Sequence, residues 1–193
     1  MIAVFDDFIK DEKLLQDIAN DETFFQDPGV YYYWKGWWNE DNAESSVKKR
    51  IIENVWRHNY PLSKIFDVDG FEYWTGVQEA DPNGRFRDYL EMHYDDDVAY
   101  RQETGKTIRP VIGCVYYPIG SEFTGGALNV FTEGEENPPE VILCRPNRLI
   151  IFQAGQIPHR VDKVLTGTRR ALAFNLWDKE PWSYSQGNFS SEQ

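Results

Sequence analysis

Apolar positions fall at helical intervals near the start of the chain and take on a strand-like texture after Gly70. Leu14, Leu15, Ile18 and Ala19 form a short stripe, and Val47, Ile51 and Val55 follow at i, i+4 and i+8, flanked by Ile52 and Trp56. Ser45 or Ser46 is placed to cap the second of these helices and Pro61 to stop it. Between the helices runs Tyr31-Tyr32-Tyr33-Trp34-Lys35-Gly36-Trp37-Trp38, aromatic but with no helical period. Such a run reads as a strand or loop packed on the core. Strand-like runs then appear near 72–79, 85–95, 108–118, 127–131, 140–144, 148–153, 159–165 and 170–177. Turn signals separate most of them, among them Asp81-Pro82-Asn83-Gly84, Thr124-Gly125-Gly126 and Thr166-Gly167-Thr168. In 111–117 both alternating sets are apolar, which predicts a central strand covered on both faces. About eight short strands at this spacing predict a sandwich or jelly roll behind N-terminal helices.

The pattern thus gives a single domain over 1–193, with a helical support region at 1–70, a jelly-roll core at 71–180 and a loose polar tail at 183–193. The 193 residues suffice to bury a core without disulfides. Twenty basic against 32 acidic residues leave a net charge of −12, which argues against a broad phosphate-binding surface and so against nucleic acid. Cys114 and Cys144 sit singly in apolar runs, outside any CxxC pair, and read as buried thiols. With no apolar stretch of about 18 residues and no basic leader, the expectation is a soluble, cytoplasmic protein with no membrane contact. The charge is uneven: 121–140 holds five acids and no base, whereas 141–170 holds six bases and one acid. The basic half is a candidate lining for a small anion.

Only three histidines are present. His93-Tyr94-Asp95 closes a strand-like run, and i and i+2 on a strand share a face, so an imidazole and a carboxylate point together. Alone, the triplet is equally a surface His beside the acidic run Asp95-Asp96-Asp97. His159, in Ile157-Pro158-His159-Arg160-Val161, supplies the second imidazole. Two His and one carboxylate suit Fe(II) with three open positions, and they also suit a catalytic zinc. Arg169 bears on the choice. It opens an apolar strand, and a buried guanidinium requires an anion, either an internal acid such as Asp162 or a ligand carboxylate. Tyr89 and Glu91 share the His93 strand face and are candidates for a place near a cosubstrate or substrate. Asp162 is a candidate to orient the second nitrogen of His159. His58, ending the second helix, reads as a surface or capping residue.

In chain order stand His93-Tyr94-Asp95, Val115-Tyr116-Tyr117, Gly125-Gly126-Ala127-Leu128, Arg145 to Phe152, Pro158-His159-Arg160-Val161 and Gly167-Thr168-Arg169-Arg170-Ala171-Leu172. This series resembles the Fe(II)/2-oxoglutarate dioxygenases, and within them the prolyl 4-hydroxylase branch with the hypoxia-sensing prolyl hydroxylases. It covers 85–178 well and 1–80 loosely. The resemblance implies a double-stranded β-helix in which His93, Asp95 and His159 hold Fe(II). It implies 2-oxoglutarate as cosubstrate with O2, Arg169 and Tyr117 on its distal carboxylate, and ascorbate as a reductant. The sequence departs from the pattern at Pro118-Ile119, where Leu-Asn is usual, and at Arg170, where an aromatic is common. The implied reaction is hydroxylation coupled to decarboxylation of 2-oxoglutarate to succinate, on a peptide or protein substrate, proline-containing and neutral to basic. Residues 31–38 and 96–106 are the candidate substrate groove and lid. Two other classes fit: a small-molecule or free amino-acid hydroxylase of the same fold, and a non-catalytic jelly-roll binding module. The oligomeric state is open.

Overall fold

The computed structural model describes residues 1–35, 46–59, 67–81, 83, 88–120 and 122–186. Trp37, Trp38, Ser45, Pro61, the 84–87 stretch, the far end of the tail and the His58 side chain lie outside the described residues. Two helices form where local chemistry favours them. Helix α1 (Glu12–Asn20) starts at Asp11, whose side chain accepts from the amides of Lys13 and Leu14, and it buries Leu14 and Ile18. Helix α2 (Val47–Glu53) starts at Ser46, not Ser45, and runs on into a π-helical stretch, Asn54–Asn59. Ile51, Ile52, Val55 and Trp56 are all buried there, with the Trp56 ring edge-on to Phe71.

The strands build two antiparallel sheets, as a double-stranded β-helix requires. Strands β1 (Ile2–Phe5), β9 (Arg148–Phe152), β5 (Ile112–Tyr117), β11 (Val164–Trp177), β3 (Gly70–Glu79) and β2 (Tyr32–Lys35) lie side by side in that order, and β6 (Phe123–Gly125) joins the far end of β11. The smaller sheet runs β4 (Leu90–His93), β10 (His159–Val161), β7 (Leu128–Val130) and β8 (Glu140–Ile142). Between the sheets pack Tyr117, Leu128, Val130, Ile150, Phe152 and Ala171. The helices cover the outer face of the larger sheet through Ile51, Ile52, Phe71, Tyr116 and Leu172. Among the described residues no helix is long and apolar enough to cross a membrane.

Several expectations change. The supposedly helical first 60 residues also supply β1, paired with β9, and β2, paired with β3. Strand β5 is central, as its two apolar faces predict. Thr166-Gly167-Thr168 is no turn between strands. The break falls at Asp162-Lys163, and β11 then runs unbroken through Gly167. Gly167 holds φ +69°, and a Cβ there would stand 2.1 Å from the Glu122 carbonyl oxygen, so glycine admits β6 against the strand. The stretch expected to be a loose tail is ordered at its start. Trp182–Ser185 forms a single helical turn, α4, and Ser183 and Tyr184 are buried because their partners lie elsewhere: Asp97 accepts from the Ser183 amide and Glu72 from the Tyr184 hydroxyl. Finally, 98–104 of the expected lid is a helix, α3 (Val98–Thr104), capped by Asp97 and closed by Gly105 in the left-handed region.

Candidate metal centre and its cleft

Strand β10 pairs with β4 so that His159 and His93 stand directly opposite each other. Their rings lie 4.2 Å apart between centroids. Asp95 follows β4 by two residues, its amide donating to the Ala154 carbonyl. Its carboxylate Oδ1 is 3.5 Å from the Nε2 of each histidine. One donor atom from each residue lies within 4.8 Å of the others, so the structure brings together the three residues that the sequence singled out. Exposure is graded: His159 is buried against Phe152, Asp95 nearly so, and His93 faces the opening.

The hydrogen bonds show what this trio can hold. Nδ1 of His93 lies 2.7 Å from the Glu91 carbonyl oxygen, and Nδ1 of His159 lies 3.1 Å from that of Ile157. A carbonyl only accepts, so both Nδ1 atoms carry protons and both Nε2 lone pairs turn inward. Two lone pairs and a carboxylate facing one point call for a cation, and N,N,O donors suit Fe(II). Burial opposes charge on Asp95, but hydrogen bonds and charge from His159 and His93 outweigh it and hold the carboxyl below its usual range. Burial likewise opposes charge on His93, and Asp95, the Glu91 carbonyl and Asp96 together raise it above its ordinary value. The expected role for Asp162 is not met: it pairs with Arg160 at the surface, and Ile157 does the orienting.

Gly113 of β5 lies behind the trio. A Cβ there would stand 2.4 Å from that of Ala154, 3.0 Å from Asn175 Oδ1 and 3.6 Å from Asp95 Oδ2. Glycine is what admits Ala154, whose carbonyl accepts from the Asp95 amide.

Arg169 lies deeper in the barrel and is buried. Its Nη1 donates to Gln78 Oε1 at 2.6 Å, its Nη2 to Tyr117 Oη at 2.9 Å, and its Nε to the Gly126 carbonyl at 3.1 Å. No carboxylate among the described residues pairs with it, which removes Asp162 as its partner. Oxygen partners take three of its five N–H groups and the Cys144 sulfur also bonds it, so among the described residues the guanidinium meets no carboxylate. Tyr117 accepts from Arg169 and retains its own hydroxyl proton to donate. Its acidity is suppressed mainly by burial. Gly126, at φ +66°, stands so near the Arg169 Cδ that a Cβ would meet it at 3.0 Å. The glycine pair thus does more than turn the chain.

A cleft of about 790 Å³ opens from the trio along β3. Glu72, Trp74, Gly76 and Gln78 line it at every second position of that strand. Sequence reading passed over this set, whose signal was a polar and aromatic alternation inside a strand-like run. Asn175 is the register partner of Glu72, and Arg169 that of Gln78. Tyr31 stacks on Trp74 at 4.7 Å and completes one wall. Val98 and Ala99 of α3 contribute to the other. Glu91 lines the cleft as expected, whereas Tyr89 is exposed and lies outside it.

Glu72 accepts from Tyr184 Oη at 3.0 Å, Trp177 Nε1 at 3.3 Å and Asn175 Nδ2 at 3.4 Å. Burial pushes its carboxyl up to about 7 despite these donors, and Asp95 adds to the rise. Burial and the charges of Glu72 and Asp95 also push Tyr31 up to about 12. The sign for stability follows. Between pH about 4.5 and about 7 the folded metal-free protein keeps a proton that the unfolded chain releases, so stability falls as pH rises through that window. The expected fall is about 3 kcal/mol at 1.36 kcal/mol per unit. Denaturant unfolding of the metal-free protein across this range checks it: Glu72→Gln should flatten the decline, and parallel curves would refute the assignment.

Residues 83–177 match the family model described as the 2OG-Fe(II) oxygenase superfamily, nearly the span on which the sequence resemblance rests. No curated protein matches the chain in sequence. Solved structures do match in fold. The prolyl-4-hydroxylase of Pseudomonas putida aligns at a TM-score of 0.63 and 14% identity, over 92% of this chain and 85% of that one. The viral collagen prolyl hydroxylase vCPH of Paramecium Bursaria Chlorella virus-1, solved with 2OG, aligns at 0.59 and 13%, over 91% and 94%. IDO from Bacillus thuringiensis aligns at 0.60 and 11%, over 93% and 91%. At these identities the likeness is one of fold.

Proposed function

We infer that this 2OG-Fe(II) oxygenase is a prolyl-hydroxylase-like dioxygenase, with His93, Asp95 and His159 as its iron ligands and Arg169 and Tyr117 as its 2-oxoglutarate anchor. The single observation that carries the reading is Arg169: a guanidinium buried in the barrel, with only neutral oxygens and the Cys144 sulfur around it and no carboxylate among the described residues to balance it. A dicarboxylate supplies the missing charge. That demand is absent from a simple zinc hydrolase site and from an inert jelly roll, so it favours iron with a keto-acid cosubstrate.

The bound iron would supply oxidising power from O2 and 2-oxoglutarate, which the side chains lack. The chain supplies placement. Glu91 and Ile157 fix both imidazole tautomers through their carbonyls, so the ligand lone pairs are aimed before any metal arrives. Asp95 contributes the anionic ligand. Gln78 holds one arm of Arg169 and Tyr117 the other, which sets the guanidinium plane for a bidentate carboxylate. Phe152 and Ile150 keep the barrel interior dry, so the charged contacts there are not weakened by solvent. The cleft along β3, open toward His93, has the size for an extended peptide segment, and prolyl hydroxylases of the same fold favour a prolyl substrate.

The test is anaerobic loading with Fe(II), then air, 2-oxoglutarate and a panel of proline-containing peptides. The expected products are succinate in step with consumed 2-oxoglutarate and a peptide heavier by one oxygen. Succinate without any peptide modification across the panel, together with oxidation of a free amino acid, would move the substrate to the small-molecule class. No succinate from the iron-loaded protein would end the dioxygenase reading.

A further inference from the structure

The cleft beside the metal trio is acidic and aromatic. Its described lining holds five carboxylates, Glu72, Glu91, Asp95, Asp96 and Asp97, and no Lys or Arg. Three of the five are engaged. Asp95 belongs to the trio, Asp96 accepts from Arg101, and Asp97 caps α3 and accepts from the Ser183 amide. Glu91 stands exposed at the rim. Glu72 is different. It projects from β3, the last strand but one of the larger sheet, and its three partners are all neutral donors, so among the described residues it is a carboxylate facing a cleft with no cation beside it. A neutral donor set holds a carboxylate in place without balancing its charge. The stacked rings of Tyr31 and Trp74 line the same cleft, and aromatic faces favour cations over anions.

We propose that Glu72, walled by Tyr31 and Trp74, is the specificity-determining residue of this cleft and selects substrates bearing an ammonium or guanidinium group. The inference deepens the proposed function, since it names the substrate class of the same site. A cationic side chain entering the cleft receives its counter-charge from Glu72 and its apolar packing from the two rings, while the group to be oxidised lies toward His93. A lysine or arginine within a peptide and a free basic amino acid offer the same chemistry.

Calorimetry on the Fe(II)-loaded protein with 2-oxoglutarate, without oxygen, reads binding apart from turnover. The probes are acetyl-Gly-Pro-Lys-amide, its norleucine counterpart, free L-lysine and free L-norleucine. In the wild type at least one lysine probe should bind tenfold or more tightly than its norleucine partner. Glu72→Gln should bring the two within about twofold, while Glu103→Gln, on the exposed face of α3, keeps the preference. Preference in the blocked peptide marks a peptide substrate, and preference in free lysine alone marks a small amine. Equal binding of lysine and norleucine probes by the wild type would overturn the proposal, as would a preference that survives Glu72→Gln. Should Glu72→Gln fail to fold by circular dichroism, Tyr31→Leu serves: it should weaken the lysine probe more than the norleucine probe, and an undiminished preference refutes the site. The two readings also fail separately. Succinate formation with no lysine preference sinks only the cation site, and lysine preference with no succinate sinks only the oxygenase assignment.

Discussion

Asp95→Ala is expected to abolish metal-dependent activity and to weaken Fe(II) or Mn(II) binding by well over the roughly 10- to 100-fold that follows loss of a supporting partner. The carboxylate is the one anionic donor of the trio, and its Oδ1 stands equally far from both Nε2 atoms. Without it, two neutral imidazoles face the metal alone. The variant should still fold, since Asp95 pins the chain through its amide to the Ala154 carbonyl and not through its side chain alone. The discriminating measurement is the rise in melting temperature on adding Fe(II) without oxygen. Wild type should gain stability in proportion to ligand excess and the variant should gain none. Metal affinity of the wild type should also drop as pH falls, because the raised His93 leaves protons competing for the site. An undiminished metal-dependent gain in Asp95→Ala would remove Asp95 from the ligand set.

Arg169→Ala should cost on the order of 2–5 kcal/mol in 2-oxoglutarate binding, the range for removing one partner of a desolvated charge pair. That corresponds to a rise of about 30- to several-thousand-fold in apparent KM. Turnover at saturating 2-oxoglutarate should fall far less, because the trio proposed to hold iron comes from the other sheet and from the loop after β4. This split separates a lost anchor from a general loss of structure, to which the stranded Gln78 and Tyr117 groups will contribute. Tyr117→Phe should produce a smaller effect in the same direction, about 1 kcal/mol for one neutral hydrogen bond. An unchanged 2-oxoglutarate affinity in Arg169→Ala would leave the guanidinium a structural group only.

Much of this site was legible before any coordinates. The two-residue repeat of a strand places His93 and Asp95 on one side, and Arg169 opening an apolar run marks a buried cation in need of an anion. Turn chemistry and alternation located most of the strands of the jelly roll. These inferences work because they rest on neighbours in the chain, whose geometry is set by local dihedral preferences.

What lay beyond reach depends on pairings between distant strands. That His159 stands opposite His93, Gln78 opposite Arg169 and Glu72 opposite Asn175 are facts of register, and a one-residue slip would turn each side chain to the other face. Register is chosen by the burial of whole faces at once, so no local window contains it. The same holds for Gly113, whose missing side chain matters only because β5 passes against Ala154, and for Ser183 and Tyr184, polar in sequence yet buried by partners some hundred residues away. The sequence by itself carried the fold class, the resemblance to the 2OG-Fe(II) oxygenases and the candidate donor residues. The tertiary structure alone decided that, among the described residues, Arg169 meets no acid and the half-buried Glu72 carboxylate faces the cleft without a counter-ion. Charge balance in a protein interior is a sum over space, and folding carries it far from the order of the chain.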